Sequence, residues 1–314
     1  IKASFDVLLT QYPSGMRVDS LLAGRNFDVH AENIILGNGA AELIKALMER
    51  LDGKTGFVRP TFEEYPNRYD KSNSVCYYPS GENFSYTADD LMEFFGDKDI
   101  ENLVVINPDN PTGNYIPKKD LERLIAWSEE KDIVLVIDES FVDFADEIDS
   151  TLIIQDILDT HKKLYVMKSI SKSFGVPGLR LGVLASGDIA TIKELKDDVA
   201  IWNINSFAEF YMQIYEKYVK DYAKALKLFR AERTRFLHAL EKIEGIRVIP
   251  SQANYFMIEL TNGNTAAELT KSLLLNHNLF IKDLSSKANG EYVRIAIRNK
   301  IDNNKLIAAL KAEI

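Results

Sequence analysis

Apolar and polar positions follow a repeating order along most of the chain, and this order predicts strands that alternate with helices. Short apolar runs bounded by turn residues predict strands, and amphipathic stretches with helical spacing predict helices. The predicted strands span residues 33–36, 56–58, 75–78, 103–106, 133–137, 164–167 and 181–184. The predicted helices span residues 40–51, 61–69 and 87–95, and one more begins at Pro117. Such alternation is typical of an α/β fold in which helices cover both faces of a mostly parallel sheet.

The pattern changes near Ser206, where a long helical stretch extends to about residue 243. Strands at 255–260 and 292–297 and helices at 265–277 and 303–312 follow it. Because 314 residues with 46% hydrophobic content exceed what one core usually serves, we expect two domains. The expected parts are a remnant N-terminal segment at 1–13, a large α/β domain at 14–205, and a smaller α+β domain at 206–314 that includes the long helix.

Charge and hydropathy argue against several classes of function. The chain has 38 Lys and Arg residues against 47 Asp and Glu residues, and it has no cluster of basic and aromatic residues. Nucleic acid is therefore not an expected partner. No apolar run reaches the length of a membrane span, and the N-terminus lacks the pattern of a signal peptide. These features predict a protein of the cytoplasm.

The cysteine and histidine residues indicate neither a disulfide framework nor a metal site. The single cysteine, Cys76, lies in an apolar strand-like run, so we expect a buried structural thiol in a reducing compartment. The four histidines are scattered without metal-ligand spacing, and no metal site is predicted.

The segment at residues 169–180 follows the predicted strand at 164–167 and carries a lysine. Lys172 therefore follows the end of a strand, on a loop rich in hydroxyl groups and glycine. A partly desolvated lysine beside a cation has a lowered pKa, and its neutral amine can form a Schiff base. Arg180 could supply that cation and could also bind a phosphate with two hydrogen bonds. Taken alone, the segment is more typical of a lysine on an ordinary polar loop.

Three other polar segments also follow predicted strands. Residues 37–42 contain two glycines and open a predicted helix, where free N–H groups favour an anion. Asp138 ends a strand at the edge where open α/β sheets bind ligands. Asn110 lies in the proline-containing loop 107–114, which could hold its amide against a ligand oxygen. A glycine turn, a salt-bridged turn and a tight turn, respectively, would also explain these segments one by one.

Two nucleotide-binding classes fail on particular residues. Gly37 and Gly39 open the dinucleotide-binding fingerprint, but Glu42 replaces its third glycine. Residues 53–55 resemble the end of a P-loop, but Met48 replaces the glycine that should stand five residues earlier. A dehydrogenase and an ATPase are therefore disfavoured.

Four motifs in a fixed order carry a resemblance to a known family. They are residues 110–113 (Asn-Pro-Thr-Gly), Asp138 with Glu139, residues 169–172 (Ser-x-Ser-Lys), and Arg180. Together they resemble the fold-type-I pyridoxal-phosphate-dependent aminotransferases of class I/II. Within that family, the chain is similar to histidinol-phosphate aminotransferase and threonine-phosphate decarboxylase along essentially its whole length. The resemblance implies a three-layer α/β/α large domain with a smaller C-terminal domain, and pyridoxal 5'-phosphate as the cofactor.

At the reacting end of the site, the resemblance implies roles for five residues. Lys172 matches the lysine that holds the cofactor as a Schiff base and moves the substrate's proton, and Asp138 matches the carboxylate that pairs with the ring nitrogen. Asn110 matches the amide that binds the ring's phenolic oxygen, and Phe62 stands where an aromatic side chain stacks on the ring. Arg294 matches the arginine that clamps the substrate's α-carboxylate with a planar fork.

At the other end, the resemblance implies contacts to the cofactor's phosphate. The predicted contacts are Ser169, Ser171, Arg180 and the backbone amides of Ala40 and Ala41. Tyr12 matches a tyrosine that reaches the phosphate of the neighbouring subunit, which implies a homodimer with shared active sites. Lys282 stands where relatives often carry an arginine near the substrate, and it could meet an anionic tail as a point charge.

The chain departs from the family pattern in two places. Phe141, which we include among the cofactor contacts, stands where histidinol-phosphate aminotransferases usually have a tyrosine, and one hydrogen bond to the phenolic oxygen is thereby lost. In this respect the chain looks nearer to the threonine-phosphate decarboxylase branch. The N-terminal segment that relatives use to cover the substrate is absent, as expected either of a truncated chain or of a chain with a further domain upstream.

The resulting hypothesis is an aminotransferase that moves an amino group between a small amino donor and a keto acceptor. A phosphate or phosphonate tail on the amino compound is expected by analogy alone. The alternative is a pyridoxal-phosphate-dependent amino-acid decarboxylase of the threonine-phosphate decarboxylase type. A third hypothesis, from another class, is a catalytically silent domain that serves dimerisation or regulation.

Overall fold

A computed structural model describes residues 1–314 of the chain. Its strands are β1 (Ile34–Asn38), β2 (Thr55–Val58), β3 (Ser74–Tyr77), β4 (Asn102–Ile106), β5 (Val134–Asp138), β6 (Leu164–Lys168), β7 (Leu181–Ser186), β8 (Ile246–Val248), β9 (Tyr255–Leu260), β10 (Lys282–Asp283) and β11 (Tyr292–Ala296). Its α-helices are α1 (Phe5–Thr10), α2 (Met16–Phe27), α3 (Ala40–Met48), α4 (Glu64–Asn67), α5 (Ala88–Gly96), α6 (Lys118–Glu130), α7 (Gln155–Thr160), α8 (Ile170–Ser173), α9 (Ile189–Asp198), α10 (Ser206–Ile214), α11 (Val219–Leu240), α12 (Ala266–His277) and α13 (Lys300–Glu313). None of these helices combines the length and the apolar character that crossing a membrane requires.

The strands β1 to β7 form one sheet in the order β1-β7-β6-β5-β4-β2-β3. All pairs from β3 across to β6 are parallel, whereas β7 is antiparallel to both of its neighbours. The prediction of a mostly parallel sheet is therefore confirmed. Because β7 is antiparallel to β6, the lysine-bearing segment at 169–180 connects the end of β6 to the start of β7 at the carboxyl end of the parallel strands.

Each face of this sheet has its own apolar core. On β4, Leu103 and Val105 belong to one core, and Val104 and Ile106 belong to the other, because successive side chains point to opposite faces. The first core includes residues of α2, α5, α6 and α10, and the second includes residues of α3 and α9. Burial on both faces explains why these strands form continuous apolar runs in the sequence. The predicted three-layer α/β/α arrangement is confirmed.

The strands β8 to β11 form a second sheet in the order β10-β11-β9-β8, and all of its pairs are antiparallel. A separate core lies between this sheet and the helices α11, α12 and α13. The helix α10, which begins at Ser206, packs in the first core of the large sheet, and the division of the chain near residue 206 stays a prediction. The strands β8 and β10 were not predicted, because runs of 3 and 2 residues carry no detectable periodicity.

The prediction of one continuous helix from Ser206 to residue 243 is wrong in its middle. A 3₁₀ turn at Tyr215–Tyr218 separates α10 from α11. At this turn the ring of Tyr215 stacks on Phe174, with the two centroids 4.6 Å apart. The break therefore coincides with a tertiary contact to the lysine-bearing segment, and helical spacing in the sequence does not report such a contact.

Three further expectations need correction. Lys172 lies on the short helix α8 and not on a loop. Cys76 is half-buried and not buried, because β3 is an edge strand with one flank unpaired. The helix predicted at 61–69 is limited to α4, and the helices α2, α7 and α9 were not predicted.

Arg233 of α11 joins this helix to the loop that follows β5. The side chain is buried, and its Nη1 donates to the backbone oxygen of Phe144 at 2.7 Å. Its Nη2 donates to Asp146 Oδ1 at 2.8 Å and to Gln252 Oε1 at 3.1 Å. One guanidinium group thus satisfies acceptors in the loop after β5 and in the loop before β9, which links the two sheets.

Replacing Arg233 with methionine should lower the free energy of unfolding by about 1 to 3 kcal/mol, because a buried acceptor loses its donor. Arg235→Met is the matched control on the same helix, since Arg235 is partly exposed and pairs only with Glu232. The control should cost less than about 1 kcal/mol. Urea unfolding of the two variants measures both values, and equal losses would contradict the linking role of Arg233.

Asp19, in the first turn of α2, is a buried carboxyl group without a hydrogen-bond partner. Burial, with a smaller contribution from the nearby Glu209, raises the pKa of Asp19 to about 7. In the unfolded chain this group ionises near the ordinary aspartate pKa of about 3.9. The folded state therefore loses stability as the pH rises from about 4 through 7, because ionisation is easier in the unfolded chain.

Asp19→Asn should remove this loss. The unfolding free energy of the variant, relative to the parent, should rise by roughly 2 to 4 kcal/mol between pH 4 and pH 7. Urea unfolding at a series of pH values measures the difference, and the exposed Asp97→Asn serves as the control. A difference that stays constant with pH would show that Asp19 is ionised in the folded protein at pH 4.

Candidate active site

A cavity of about 570 Å³ lies between the carboxyl ends of the parallel strands and the second sheet. Six of the predicted site residues line it: Phe62, Asn110, Phe141, Lys172, Lys282 and Arg294. They come from the loops after β2, β4 and β5, from α8, and from β10 and β11. The parallel sheet thus brings residues far apart in sequence to one edge, where open α/β sheets bind their ligands.

Lys172 has a largely apolar setting. Its Nζ lies 4.2 Å from the ring centroid of Phe141 and 5.3 Å from that of Phe62. Burial lowers the pKa of Lys172, the charges of Arg294 and Arg180 lower it further, and Asp138 opposes them. A lowered pKa gives more of the neutral amine near neutral pH, and the neutral amine is the form that attacks a carbonyl carbon.

Asp138, the last residue of β5, is buried at the same edge. Its Oδ2 accepts a hydrogen bond from the hydroxyl group of Tyr65 at 2.9 Å, and its Oδ1 accepts one from the backbone N–H of Ser140 at 2.9 Å. Burial and the Asp138 charge raise the pKa of Tyr65 well above 10, so Tyr65 stays protonated and donates. An ionised carboxylate offers about four acceptor sites, and Asp138 therefore keeps capacity for an N–H of a ligand.

Asn110 and Arg294 contact each other directly. Arg294 Nη1 donates to Asn110 Oδ1 at 2.6 Å, and the guanidinium group lies 5.0 Å from the ring centroid of Tyr255. The hydroxyl group of Tyr255 in turn donates to the backbone oxygen of Asp109 at 2.6 Å. Because Arg294 engages the amide oxygen, the amide NH₂ group of Asn110 remains as the donor for a ligand oxygen.

Two glycines shape the entrance to α3. A Cβ atom on Gly39, where φ is +76°, would lie 2.6 Å from Arg180 Nη2. A Cβ atom on Gly182 of β7 would lie 2.3 Å from the backbone nitrogen of Ala40. Glycine at both positions therefore lets the Arg180 guanidinium group and β7 approach the first residues of α3, Ala40 and Ala41. A helix N-terminus beside an arginine fits a phosphate.

The two serines before Lys172 differ in their contacts. The backbone N–H of Ser169 donates to Ser140 Oγ at 2.9 Å, which joins the ends of β5 and β6. The hydroxyl group of Ser171 is buried, accepts from the Leu181 N–H at 2.8 Å and donates to the Leu181 oxygen at 3.2 Å. Since a hydroxyl group has one proton, Ser171 has no free donor for a phosphate in this arrangement.

Tyr12 lies apart from the cavity. Its ring is 78% exposed and stacks on Trp202 with the centroids 4.3 Å apart. The structure therefore does not bring Tyr12 together with the other predicted residues of the same chain. Contact with the site of a neighbouring subunit stays a prediction.

Four residues at or near the site were not predicted: Tyr65, Lys168, Tyr255 and Lys287. Lys168, at the end of β6, is fully enclosed and forms ion pairs with Asp143 at 2.8 Å and Glu139 at 3.3 Å. Although burial opposes it, these two carboxylates raise the pKa of Lys168, which stays charged. Glu139 and Asp143 follow β5, 29 and 25 residues before Lys168, and pairs so far apart in the chain leave no periodic signal in the sequence. Only the acidic pair Asp138 and Glu139 was noticeable there.

These residues fit pyridoxal phosphate at three points. The α3 entrance with Arg180 provides a phosphate cradle, Asp138 provides an acceptor for a ring N–H, and Lys172 provides an amine within the field of Asp138. A family model described as aminotransferase class I and II matches residues 19–312. The chain belongs to this family of pyridoxal-phosphate-dependent enzymes, which confirms the predicted family, fold and cofactor.

Several individual proteins of known structure or activity are similar to the chain. The chain is 33% identical over 317 residues to the CMP-5'-(3-aminopropyl)phosphonate synthase of Streptomyces rubellomurinus, and the match covers 100% of the chain but only 50% of that protein. It is 33% identical over 320 residues to the L-serine phosphate decarboxylase of Sulfurospirillum multivorans, covering 98% of the chain and 81% of that protein. A solved decarboxylase from Sulfurospirillum multivorans superimposes with a TM-score of 0.86 at 31% identity, over 95% of the chain and 86% of that structure. Histidinol-phosphate aminotransferases and a putative threonine-phosphate decarboxylase are also similar.

Gly182→Ala should weaken the binding of pyridoxal phosphate about tenfold or more, because the added methyl group displaces the first residues of α3 from Arg180. Gly178→Ala is the matched control, since nothing lies within 4 Å of a Cβ atom at that position. Titration of the cofactor, followed by its visible absorbance, gives both dissociation constants. Unchanged binding in Gly182→Ala would show that the α3 entrance does not hold the phosphate.

Proposed function

We propose that this chain is a pyridoxal-phosphate-dependent decarboxylase of a small α-amino acid with a phosphate or phosphonate tail. The observation that carries the proposal is the charge of the cavity, which Lys172, Lys282, Lys287 and Arg294 line without any carboxylate. If Lys172 is assigned to the cofactor, the other three cations carry more positive charge than the single carboxylate of a substrate would neutralise. A substrate with an anionic group at each end balances them.

The reaction type is supported by the relatives. The two relatives at 33% identity are an L-serine phosphate decarboxylase and a synthase named for an aminopropyl phosphonate. Phe141, in place of the tyrosine typical of histidinol-phosphate aminotransferases, agrees with the decarboxylase branch. The chain spans half the length of the phosphonate synthase, so only the part of that protein's activity that this fold could perform is relevant.

Each proposed catalytic role follows from a contact of the site. Arg294, with Nη1 on Asn110, keeps its other N–H groups for the substrate's α-carboxylate. Asp138, held by Tyr65 and Ser140, keeps a proton on the ring nitrogen. Pyridoxal phosphate, when bound, accepts the electron pair of the bond that breaks at the α-carbon.

In the proposed reaction the bond between the α-carbon and the carboxylate breaks and carbon dioxide leaves. The Lys172 ammonium group then supplies the proton that the α-carbon takes in place of the carboxylate. Burial and the nearby cations lower the pKa of Lys172, so its ammonium group is a stronger acid and a readier proton donor than an ordinary lysine. The product is an amine that keeps the phosphorus-bearing tail.

Transfer of the amino group to a keto acceptor is the second candidate. The family description and the similar histidinol-phosphate aminotransferases favour it. In that reaction the Lys172 amine would remove the α-proton, and the carboxylate would stay in place. The position at which Arg294 holds the carboxylate relative to the ring decides between the two, since the bond perpendicular to the ring is the one that breaks.

We also propose that the chain forms a homodimer. The apolar side chains of Tyr12, Ile201 and Trp202 are exposed together on one face. Contiguous exposed apolar surface marks an interaction site. Contact of Tyr12 with the phosphate of a partner subunit would explain why this tyrosine lies away from the cavity of its own chain.

Incubation of the cofactor-loaded protein with L-serine phosphate separates the candidates. Release of carbon dioxide with formation of ethanolamine phosphate is expected, and a keto acid with aminated cofactor would favour the aminotransferase. Lys172→Ala should abolish product formation and the cofactor's covalent attachment, which borohydride reduction followed by mass spectrometry detects. Lys193→Ala, an exposed lysine on α9, is the control and should retain both.

A protein that takes up no cofactor would contradict the proposal. A protein that binds the cofactor but yields neither product from L-serine phosphate, its phosphonate analogue or common amino donors would favour the catalytically silent domain.

A further inference from the structure

Lys287 is a cavity residue that the family motifs do not assign. It lies on the loop between β10 and β11 of the second sheet, and its side chain lines the same cavity as Lys172 and Arg294. The side chain is 26% exposed, so most of its surface is removed from water. A lysine that is mostly enclosed at the wall of a cavity is able to meet a ligand.

The partner of Lys287 comes from the other sheet. Its Nζ lies 3.8 Å from Glu63 Oε1, and Glu63 follows β2 of the seven-stranded sheet. The second oxygen of Glu63, Oε2, accepts a hydrogen bond from Arg59 Nη1 at 2.9 Å. Glu63 therefore has a closer cationic partner of its own, and it would keep that partner if Lys287 moved away.

The charges around Lys287 do not balance. Burial lowers the pKa of Lys287, and the charges of Lys282, Arg294 and Arg59 lower it further, whereas Glu63 opposes them. One carboxylate thus faces several cations, and it already pairs with Arg59. An anionic ligand group beside Lys287 and Lys282 would relieve their mutual repulsion.

We propose that Lys287 is a specificity-determining residue that binds the phosphorus oxyanion at the end of the substrate, together with Lys282. Glu63 holds the Lys287 ammonium group at the cavity wall until the oxyanion replaces it. This inference rests on the proposed function, because it assigns the tail of the same substrate. It adds the residue that distinguishes a tailed substrate from one without a tail.

Replacement of Glu63 by the substrate's oxyanion as the partner of Lys287 is favourable in particular when the oxyanion is doubly charged. The contact at 3.8 Å is a long ion pair between two partly exposed side chains, and such pairs are weak. A dianion that contacts two ammonium groups forms shorter, charge-assisted hydrogen bonds. Glu63 loses little on release, because Arg59 remains bound to it.

The test compares two ligands that differ only in the tail. Ethanolamine phosphate carries the tail without an α-carboxylate, so its binding does not depend on the carboxylate site of Arg294, and ethanolamine lacks both groups. Isothermal titration of the cofactor-loaded protein gives both dissociation constants. The variants are Lys287→Met, Lys287→Arg and Glu63→Gln, with Lys271→Met on α12 as an exposed control.

Lys287→Met should raise the dissociation constant for ethanolamine phosphate about tenfold or more, and that for ethanolamine less than about twofold. Lys287→Arg should retain most of the binding, because it keeps the charge. Glu63→Gln should lower the dissociation constant for ethanolamine phosphate about threefold, since it removes the competing carboxylate. In turnover of L-serine phosphate, Lys287→Met should raise KM about tenfold and change kcat less than about threefold, as expected of a residue remote from the reacting carbon.

Equal weakening of both ligands in Lys287→Met would overturn the inference, because it would indicate a structural role. So would unchanged binding of ethanolamine phosphate. The absorbance of the cofactor is recorded for every variant, and a wild type without it would refute the proposed function separately. In that event, titration of the cofactor-free wild type and Lys287→Met with ethanolamine phosphate still decides the role of Lys287.

Discussion

The site depends on a buried ion cluster in which Lys168 bonds to Glu139 and Asp143. These three residues follow or end the neighbouring parallel strands β5 and β6, and Asp138 pairs in register with Met167 one residue before Lys168. A buried charge without its partner costs several kcal/mol, so the cluster favours the relative arrangement of the two strand ends in which all three charges are paired. That arrangement places the carboxylate of Asp138 and the helix that carries Lys172 at one edge. Tyr222 extends the cluster to α11 by donating to Asp143 at 2.8 Å.

The parts of the site that sequence predicted are those whose chemistry shows in the residue type and its place after a strand. Lys172, Asp138 and Asn110 are of this kind, and the continuous apolar runs before them predicted the parallel sheet that gathers them. Arg294 lies inside β11, and only the family resemblance indicated it. Lys287 and Tyr65 were not predictable, because their roles depend on which loop of a distant sheet packs beside them. The antiparallel direction of β7 and the turn between α10 and α11 also follow from packing, since a run of apolar residues carries no information on strand direction or on aromatic stacking.

The cavity lies between two sheets whose main cores are separate, although a small apolar cluster that includes Phe141 and Tyr255 joins them. Lys172 reaches the cavity from the side of the seven-stranded sheet, whereas the other cations that line it, Lys282, Lys287 and Arg294, belong to the four-stranded sheet and its loops. Contacts such as those of Arg233 hold the two sheets together from behind. Ligands that bind both sides at once stabilise the folded chain by mass action, because they bind only where the two halves are correctly placed. The affinity for cofactor and substrate therefore also depends on the position of the two sheets relative to each other.

The hydrogen bond from Arg294 to Asn110 has a consequence for how the two ligands influence each other. In the function we propose, the same guanidinium group orients the amide that would face the ring, and its free edge would bind the carboxylate of the substrate. Thermodynamic linkage is reciprocal, so any free energy by which a bound ring steadies this pair returns as tighter holding of the carboxylate, and the converse holds equally. The contact between Arg294 and Asn110 therefore provides a route by which binding of the cofactor and binding of the substrate would strengthen each other.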